Sequence, residues 1–361
     1  MRVISEKFVE SLKGPLFSSL INEAAAKDSD IVMCFRGEVR YIGKNGKPKK
    51  INEYVSVYYK GHQLLKISNG RNQYNVVFNF NHAKYYSGWE SMLNELHKMG
   101  FKLSVSKAAK LELKKQIEIL RGRGFGKYPR TIPPEKGETA FVNLVLKNNQ
   151  PAISWGELIK NLKDLMNSFF APNQENAVKY DEKQDQMKLM LMNRNLENGY
   201  MFYDIEFQLT RGQSQVNGEK IPIPGQIDLV GVRFNRGKPM AIILTELKST
   251  KEAVESGTTG IFNHYSDMKN YLSKSEEGET SSFFIDRKKE AISSLNNLIK
   301  LGIIKRTGYF EADSFDDVQI EFLFLFKDEA WKSSVIELFQ AESKTCVPPV
   351  SCLKVSEDYI V

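Results

Sequence analysis

Short apolar runs of the β type occur in two groups along the chain, and their placement limits the folds that it can adopt. The first group, from residue 31 to residue 80, contains IVMCFR, EYVSVYY, QLLKI and YNVVFNF, separated by turn-rich segments that are typical of an antiparallel meander. The second group contains YMFYDIEFQL, GQIDLVGVRF and MAIILTELK, and VQIEFLFLF follows after a helical stretch. Because strands and helices alternate around the second group, the sequence predicts a mixed α/β fold.

Helical periodicity flanks both groups of strands. The first 30 residues are predicted to be helical with an interruption at Gly14-Pro15, and Ser154 with Glu157 has the spacing of an N-terminal capping box. The other predicted helices are around Trp89–Met99, Ser106–Leu120, Trp155–Phe169, Asp181–Asn195, His264–Lys274 and Ile285–Leu301.

The length of 361 residues favours two domains, since single hydrophobic cores stop growing at about 250–300 residues. The segment RGRGFGKYPRTIPPEKG combines glycine, proline and charge without apolar periodicity, which indicates a linker. We predict a smaller β-rich α+β domain at residues 1–130, with a sensor or targeting role, a linker at 131–150, and a second domain at 151–361.

The compartment is predicted from the apolar runs and the cysteines. The longest apolar runs, such as IEFLFLF, are too short to span a bilayer, and the N-terminus carries charges where a signal peptide is apolar. Three cysteines, Cys34, Cys346 and Cys352, suit a reducing compartment, and their odd number argues against a disulfide framework. We expect a cytoplasmic protein without a membrane partner.

Positive charge is concentrated in one segment. The chain has a net charge of +7, and the stretch from Lys102 to Arg130 contains nine basic and two acidic residues. Such a segment favours a polyanionic partner, although a flexible basic linker is the alternative interpretation. The predicted contacts to nucleic-acid phosphates are Lys114, Lys115, Arg121, Arg123 and Lys127.

Charged residues interrupt two neighbouring apolar runs. Asp228 lies inside IDLV, whereas Glu246 and Lys248 end ILTELK and share one face of a strand. The segment RFNRGKP between the runs is short enough for a hairpin, which would bring Asp228 beside Glu246. Adjacent carboxylates repel unless a cation lies between them, and Mg²⁺ prefers oxygen ligands. We therefore predict that Asp228 and Glu246 bind a metal and that Lys248 stabilises charge on a phosphate.

At these residues the chain resembles the PD-(D/E)xK nuclease superfamily, over roughly residues 155–330. The resemblance rests on Asp228 in GQIDLVGV and on Glu246-x-Lys248 in ILTELKST, with Ile227 at the position of the family's proline. It implies a restriction-endonuclease-like αβββαβ core with a mixed sheet. It also implies a metal-dependent endonuclease that uses Mg²⁺ or Mn²⁺ to hydrolyse phosphodiester bonds. DNA is expected as the substrate rather than RNA, in restriction or anti-phage defence.

The resemblance assigns further residues to the site. Many members carry a glutamate on the helix before the first strand, a role that Glu182 fits, with Glu206 as the alternative. Some branches have Gln-x-x-x-Tyr on a later helix, where this chain has Asp267 and Tyr271 at the same spacing. Gln226 precedes the first predicted metal ligand by two residues, so it faces the same side and is expected to contact substrate or water.

Two other function classes remain open. One is a catalytically inactive nuclease fold that binds nucleic acid, and the other is an assembly protein. The expected protein partners are a second copy of the chain, in a homo-oligomer, or a defence-system protein. The histidines lack HExxH spacing and there is no CxxC pair, which argues against a zinc site. Tyr128 follows Lys127 where a Walker loop needs serine or threonine. His264 has a catalytic interpretation, but a structural one is favoured.

Overall fold

The computed structural model describes residues 4–41, 48–69, 74–79, 95–96, 98–104, 141–144, 153–169, 181–208, 214–216, 219–221, 226–257, 260–273, 280–346 and 348–355. Over these residues the protein is mixed α/β with two large sheets. The helices are α1 (Glu6–Leu12), α2 (Ser18–Ala25), α3 (Trp155–Phe169), α4 (Asp181–Met192), α5 (Lys251–Glu255), α6 (Ile261–Ser273), α7 (Thr280–Lys300), α8 (Asp328–Trp331) and α9 (Val335–Ser343). The strands are β1 (Ile31–Tyr41), β2 (Pro48–Tyr59), β3 (His62–Asn69), β4 (Tyr74–Asn79), β5 (Phe101–Ser104), β6 (Phe141–Leu144), β7 (Asn198–Gln208), β8 (Ser214–Val216), β9 (Glu219–Ile221), β10 (Gln226–Asn235), β11 (Lys238–Lys248), β12 (Gln319–Phe326) and β13 (Val350–Lys354).

The first sheet is antiparallel and has the order β1-β2-β3-β4-β6-β5 among the described strands. Its first four strands are the predicted meander. The turn between β2 and β3 contains Lys60 and Gly61, both with positive φ. Strand β6 lies inside the range assigned to the linker, 131–150, and pairs with both β4 and β5. The boundaries of the two domains remain predictions.

The second sheet is mixed and has the order β13-β12-β11-β10-β7. Strands β7, β10 and β11 are antiparallel neighbours, whereas β11, β12 and β13 run parallel. The residues of β11 from Ala241 to Lys248 are all buried. Layers on both faces of the sheet cover this central strand, which explains its nearly continuous apolar sequence. The charged end of β11 is therefore embedded in the molecule.

The described helices agree with the periodicity of the sequence. Two helices flank Gly14-Pro15, and α3, α4, α6 and α7 occupy the predicted segments. The Ser154 hydroxyl accepts a hydrogen bond from the Glu157 amide at 3.2 Å, as an N-terminal cap should. Among the described helices, none combines the length and the apolar character needed to cross a bilayer.

Apolar packing and a buried ion pair join the two sheets. Val32, Cys34 and Tyr58 of the first sheet belong to the same buried cluster as Met187 and Phe202 of α4 and β7. Close by, an Arg36 Nη atom lies 2.7 Å from an Asp204 carboxylate oxygen, with both side chains mostly buried. The N-terminal strands thus pack directly on the elements that carry the predicted site.

Candidate active site

Asp228 lies near the start of β10, at the edge of its ladder with β11. Leu229 pairs with Thr245, so the next step of the antiparallel register places Asp228 opposite Glu246. An oxygen of Asp228 accepts a hydrogen bond from the Leu247 amide at 2.8 Å. The β10–β11 hairpin therefore brings together the two acids that the sequence singled out.

Glu246 and Lys248 occupy the buried end of β11 and interact with each other. Glu246 is 3% exposed and Lys248 is 5% exposed, although both are charged residues. The Lys248 ammonium lies 3.5 Å from a Glu246 oxygen, and Nδ1 of His264 lies 3.0 Å from the same oxygen. Burial of such groups is expensive without partners, so this strand end is built around compensating charges.

Glu182 joins this cluster from the first turn of α4. Burial raises its pKa most, and the negative charge of Glu246 raises it further, while Lys248 lowers it. The pKa of Asp228 is raised well above its usual value, first by burial and then by the charges of Glu246 and Glu182. Three carboxylates thus lie close to one another and to the Lys248 ammonium and the His264 ring. We call these five residues the carboxylate cluster (Glu182, Asp228, Glu246, Lys248 and His264).

A second ion pair anchors α4 to the same end of the sheet. Asp185 is 4% exposed and accepts a hydrogen bond from the Lys327 ammonium at 2.6 Å. The Lys327 amide, just after β12, donates to the Lys248 carbonyl at 3.0 Å. Since Asp185 lies one helical turn after Glu182, this pair fixes α4 relative to the end of β11. The sequence does not reveal this pair, because the contact joins segments far apart in the chain.

His264 contacts Glu246, although the sequence favoured a structural role for this histidine. It lies in the first turns of α6 and is partly exposed, with its ring nitrogen on Glu246. No spacing motif connects these two residues, because their contact depends on how α6 packs on β11. A histidine beside an acid-bearing strand is too common a pattern to identify such a contact from sequence.

The remaining predicted residues are placed less fully. Glu206 lies on β7, Gln226 begins β10 and Tyr271 lies on α6. For these three residues the structure describes the backbone and not the side chain. Asp267 is an exposed residue of α6. The five predicted phosphate contacts, Lys114, Lys115, Arg121, Arg123 and Lys127, also lie outside the described residues.

The donor chemistry of the cluster suits a hard divalent cation. Mg²⁺ is commonly held by one or two carboxylates, with water and phosphate oxygens completing its coordination, and Asp228 with Glu246 supplies two. Among the described residues, no three histidine, cysteine, aspartate or glutamate side chains form a ready metal-binding group. In this structure the Lys248 ammonium and the His264 ring contact Glu246 instead. The chain matches no family model, no curated protein and no solved structure.

Proposed function

We propose that this protein is a metal-dependent endonuclease that hydrolyses phosphodiester bonds, with DNA rather than RNA as its substrate. The observation that carries the proposal is the carboxylate cluster at the paired ends of β10 and β11, with the buried Lys248 beside it. Perturbed ionisable groups gathered at one place are typical of functional sites.

The ionisation of Asp228 supports a cation at this site. Its raised pKa means that the folded protein disfavours the charged form of this side chain. A structural role alone would be served better by a neutral residue that accepts the Leu247 amide hydrogen bond. A bound divalent cation would reverse the penalty, because it stabilises adjacent ionised carboxylates.

The residues of the cluster have separate roles in this proposal. Asp228 and Glu246 would hold Mg²⁺ or Mn²⁺, which supplies a bound water of lowered pKa and polarises a phosphoryl oxygen. Lys248 would donate toward the oxygen on which negative charge develops. Glu182, which lies close enough to Glu246 and Lys248 for their charges to affect its pKa, would take the proton of the attacking water.

The order of the elements supports the finer fold that the resemblance implies. Helix α4 is followed by the antiparallel strands β7, β10 and β11, then by α6 and α7, and then by β12 parallel to β11. This order agrees with the αβββαβ order that the resemblance implies, with additional elements between its parts. We accordingly extend the proposal to a PD-(D/E)xK-like enzyme of the cytoplasm that acts in restriction or anti-phage defence, either as a homo-oligomer or with a defence-system partner protein.

Cleavage assays test this function directly. Supercoiled plasmid, single-stranded DNA and RNA are incubated with the protein in Mg²⁺, Mn²⁺ or EDTA. We expect metal-dependent cutting by the wild type, loss of cutting in Asp228→Asn, and wild-type cutting in the control Asp317→Asn, whose side chain is 91% exposed. Equal cutting by Asp228→Asn would overturn the assignment. Metal-independent DNA binding without any cutting would favour the inactive binding module instead.

A further inference from the structure

A broad groove lies at the other end of the second sheet, away from the carboxylate cluster. It is bounded by the segment after α2, the C-terminal end of α4, the β10–β11 turn and the segment after α7, and its volume is about 1560 Å³. Asp28 and Glu197 are its acidic lining residues. The basic lining residues are Lys27, Lys188, Arg194, Arg236, Lys305 and Arg306.

Arg194 brings a poorly compensated positive charge into this basic groove. Its guanidinium donates to the Ala24 carbonyl at 2.8 Å and to the Ile31 carbonyl at 3.4 Å. Within the described part of the chain, no carboxylate forms an ion pair with it, and burial lowers its pKa. Two carbonyl dipoles offset a full charge only in part, so the site remains attractive to an anion.

Two further arginines are positioned by the β10–β11 turn. Arg236 is exposed at its tip with φ 49, and its amide donates to the Asn198 side chain at 3.0 Å. The Arg306 guanidinium lies 3.7 Å from the centre of the Phe310 ring and donates to the Gly237 carbonyl at 3.4 Å. These contacts fix the backbone of one arginine and the guanidinium of the other, so less entropy is lost when an anion binds.

We propose that the groove binds the phosphate backbone of nucleic acid, as a second contact surface separate from the carboxylate cluster. The volume exceeds the roughly 300–1,000 Å³ of ordinary small-molecule pockets. Several cations spread along an open surface can neutralise successive phosphates, whereas a single small anion would use only some of them. The choice of nucleic acid as the ligand rests on the proposed function, but binding here requires neither metal nor cleavage.

The position of the groove sets a minimum length for the ligand. Arg236 follows Asp228 by eight residues of β10 and its turn, or roughly 26 Å at about 3.3 Å per residue. A duplex that advances about 3.4 Å per base pair needs roughly eight base pairs to cover that distance. Shorter duplexes therefore reach the cluster or the groove, but not both.

The test compares two triple variants of the full chain in EDTA. Lys27→Ala/Arg236→Ala/Lys305→Ala removes exposed cations of the groove, whereas Lys98→Ala/Lys160→Ala/Lys332→Ala removes three exposed lysines that do not line it. Arg194 is retained because it holds two backbone carbonyls. Fluorescence anisotropy with a labelled 20-base-pair duplex, a five-base-pair duplex and a 20-nucleotide single strand gives Kd at several salt concentrations. Thermal melting verifies that both variants are folded.

For the 20-base-pair duplex, we expect the groove variant to have a Kd at least about tenfold higher than that of the wild type. The slope of log Kd against log salt concentration should fall by up to about 0.9 for each lost phosphate contact. The control variant should stay near wild type. The five-base-pair duplex cannot contact the groove and the cluster together, so it should bind the wild type more weakly than the 20-base-pair duplex does. Equal effects of both variants would overturn the proposal. Displacement of the duplex by micromolar inorganic phosphate would also overturn it, since that identifies a small-anion site. Absence of cleavage leaves these binding results unaffected.

Discussion

The effect of replacing Lys248 distinguishes the enzyme hypothesis from the hypothesis of an inactive binding protein. The Lys248 ammonium is buried 3.5 Å from Glu246, so Lys248→Ala removes a positive charge from the cluster but leaves its carboxylates. We expect Mn²⁺ affinity to persist or increase, because a nearby cation no longer repels the metal. Cleavage should fall by roughly 10²–10³, as when a donor to developing charge is lost.

The measurement for Lys248 pairs single-turnover cleavage with calorimetric Mn²⁺ titration. Glu246→Ala is the comparison, because it removes a predicted metal ligand and should lose both binding and cleavage. Wild-type cleavage by Lys248→Ala would contradict its catalytic role. If Lys248→Ala loses cleavage because it binds Mn²⁺ more weakly, the proposed separation of roles between Lys248 and Glu246 is contradicted.

Asp228 should make the metal-free protein less stable as the pH rises. Folding raises the pKa of Asp228. At pH values between the pKa in the unfolded chain and the pKa in the folded protein, the native state therefore binds more protons than the unfolded state. Stability therefore falls as the pH rises through that window. Asp228→Asn keeps an acceptor for the Leu247 amide and removes the charge. At pH values above this window, Asp228→Asn should have a higher melting temperature than the wild type. The difference in melting temperature should shrink toward low pH.

Bound metal should make the wild type more stable than Asp228→Asn. At 100 times its Kd, a metal that binds only the native state stabilises the wild type by about 2.7 kcal/mol, and Asp228→Asn should lose most of this shift. Thermal melting from acidic to neutral pH, with EDTA or Mn²⁺, measures both effects. An Asp228→Asn variant that is less stable than the wild type in EDTA at neutral pH would show that the carboxylate serves folding rather than metal binding.

The sequence singles out two acids of the candidate site but not the residues around them. Asp228 within IDLV and Glu246 at the end of an apolar strand stand out because isolated charges rarely occupy buried strands. His264 and the Asp185–Lys327 pair carry no such local signal. Their contacts depend on how α4 and α6 pack against the sheet, which periodicity does not determine.

At the level of elements, the turn between β2 and β3 supports α4. Gly61 has φ 76, and a Cβ there would lie 2.4 Å from the Lys183 carbonyl carbon, next to Glu182. Gly61→Ala should destabilise the protein by roughly 2–5 kcal/mol, through left-handed strain and overpacking together. It should also slow cleavage at temperatures where the fold persists, because α4 must shift.

A second glycine provides the control for Gly61. Gly308 also has positive φ, at 80, but a Cβ there would meet no atom within 4 Å. Gly308→Ala should therefore cost only the strain, about 1–2 kcal/mol, and should leave cleavage unchanged. Urea unfolding and cleavage rates check both variants. Equal destabilisation by the two substitutions would show that the close approach of Gly61 to α4 does not contribute to stability.

Long apolar runs predicted their strands, whereas short strands escaped detection. The eight β-type runs of the sequence correspond to β1–β4, β7 and β10–β12. Strands β5 and β6 have four residues each and β13 has five, too few for alternation to be recognised. Their pairing comes from distant neighbours, so β6 was assigned to a linker. The predicted helices around Trp89–Met99 and Ser106–Leu120 fall largely or wholly outside the described residues.

At the scale of the molecule, the two sheets share buried surface that the sequence could not reveal. Val32 and Tyr58 pack with residues of α4 and β7, and the Arg36–Asp204 pair is enclosed nearby. A second, larger cluster runs from Phe8 of α1 to Phe339 of α9. Amphipathic patterns show which faces are apolar but not which element covers them. This shared core argues that the predicted domains depend on each other for stability.

Truncation tests this dependence. A fragment of residues 151–361 would expose the apolar surface that contacts Val32 and Tyr58, and it would leave the Asp204 carboxylate without Arg36. Removing one partner of a buried pair costs roughly 3–5 kcal/mol, and the exposed apolar surface adds to that loss. We expect the full chain to unfold in one transition and the fragment to melt well below it or to aggregate. Arg36→Met in the full chain isolates the contribution of the ion pair. Two separate transitions in the full chain, or a fragment that melts at the full-length temperature, would show instead that the second half folds independently.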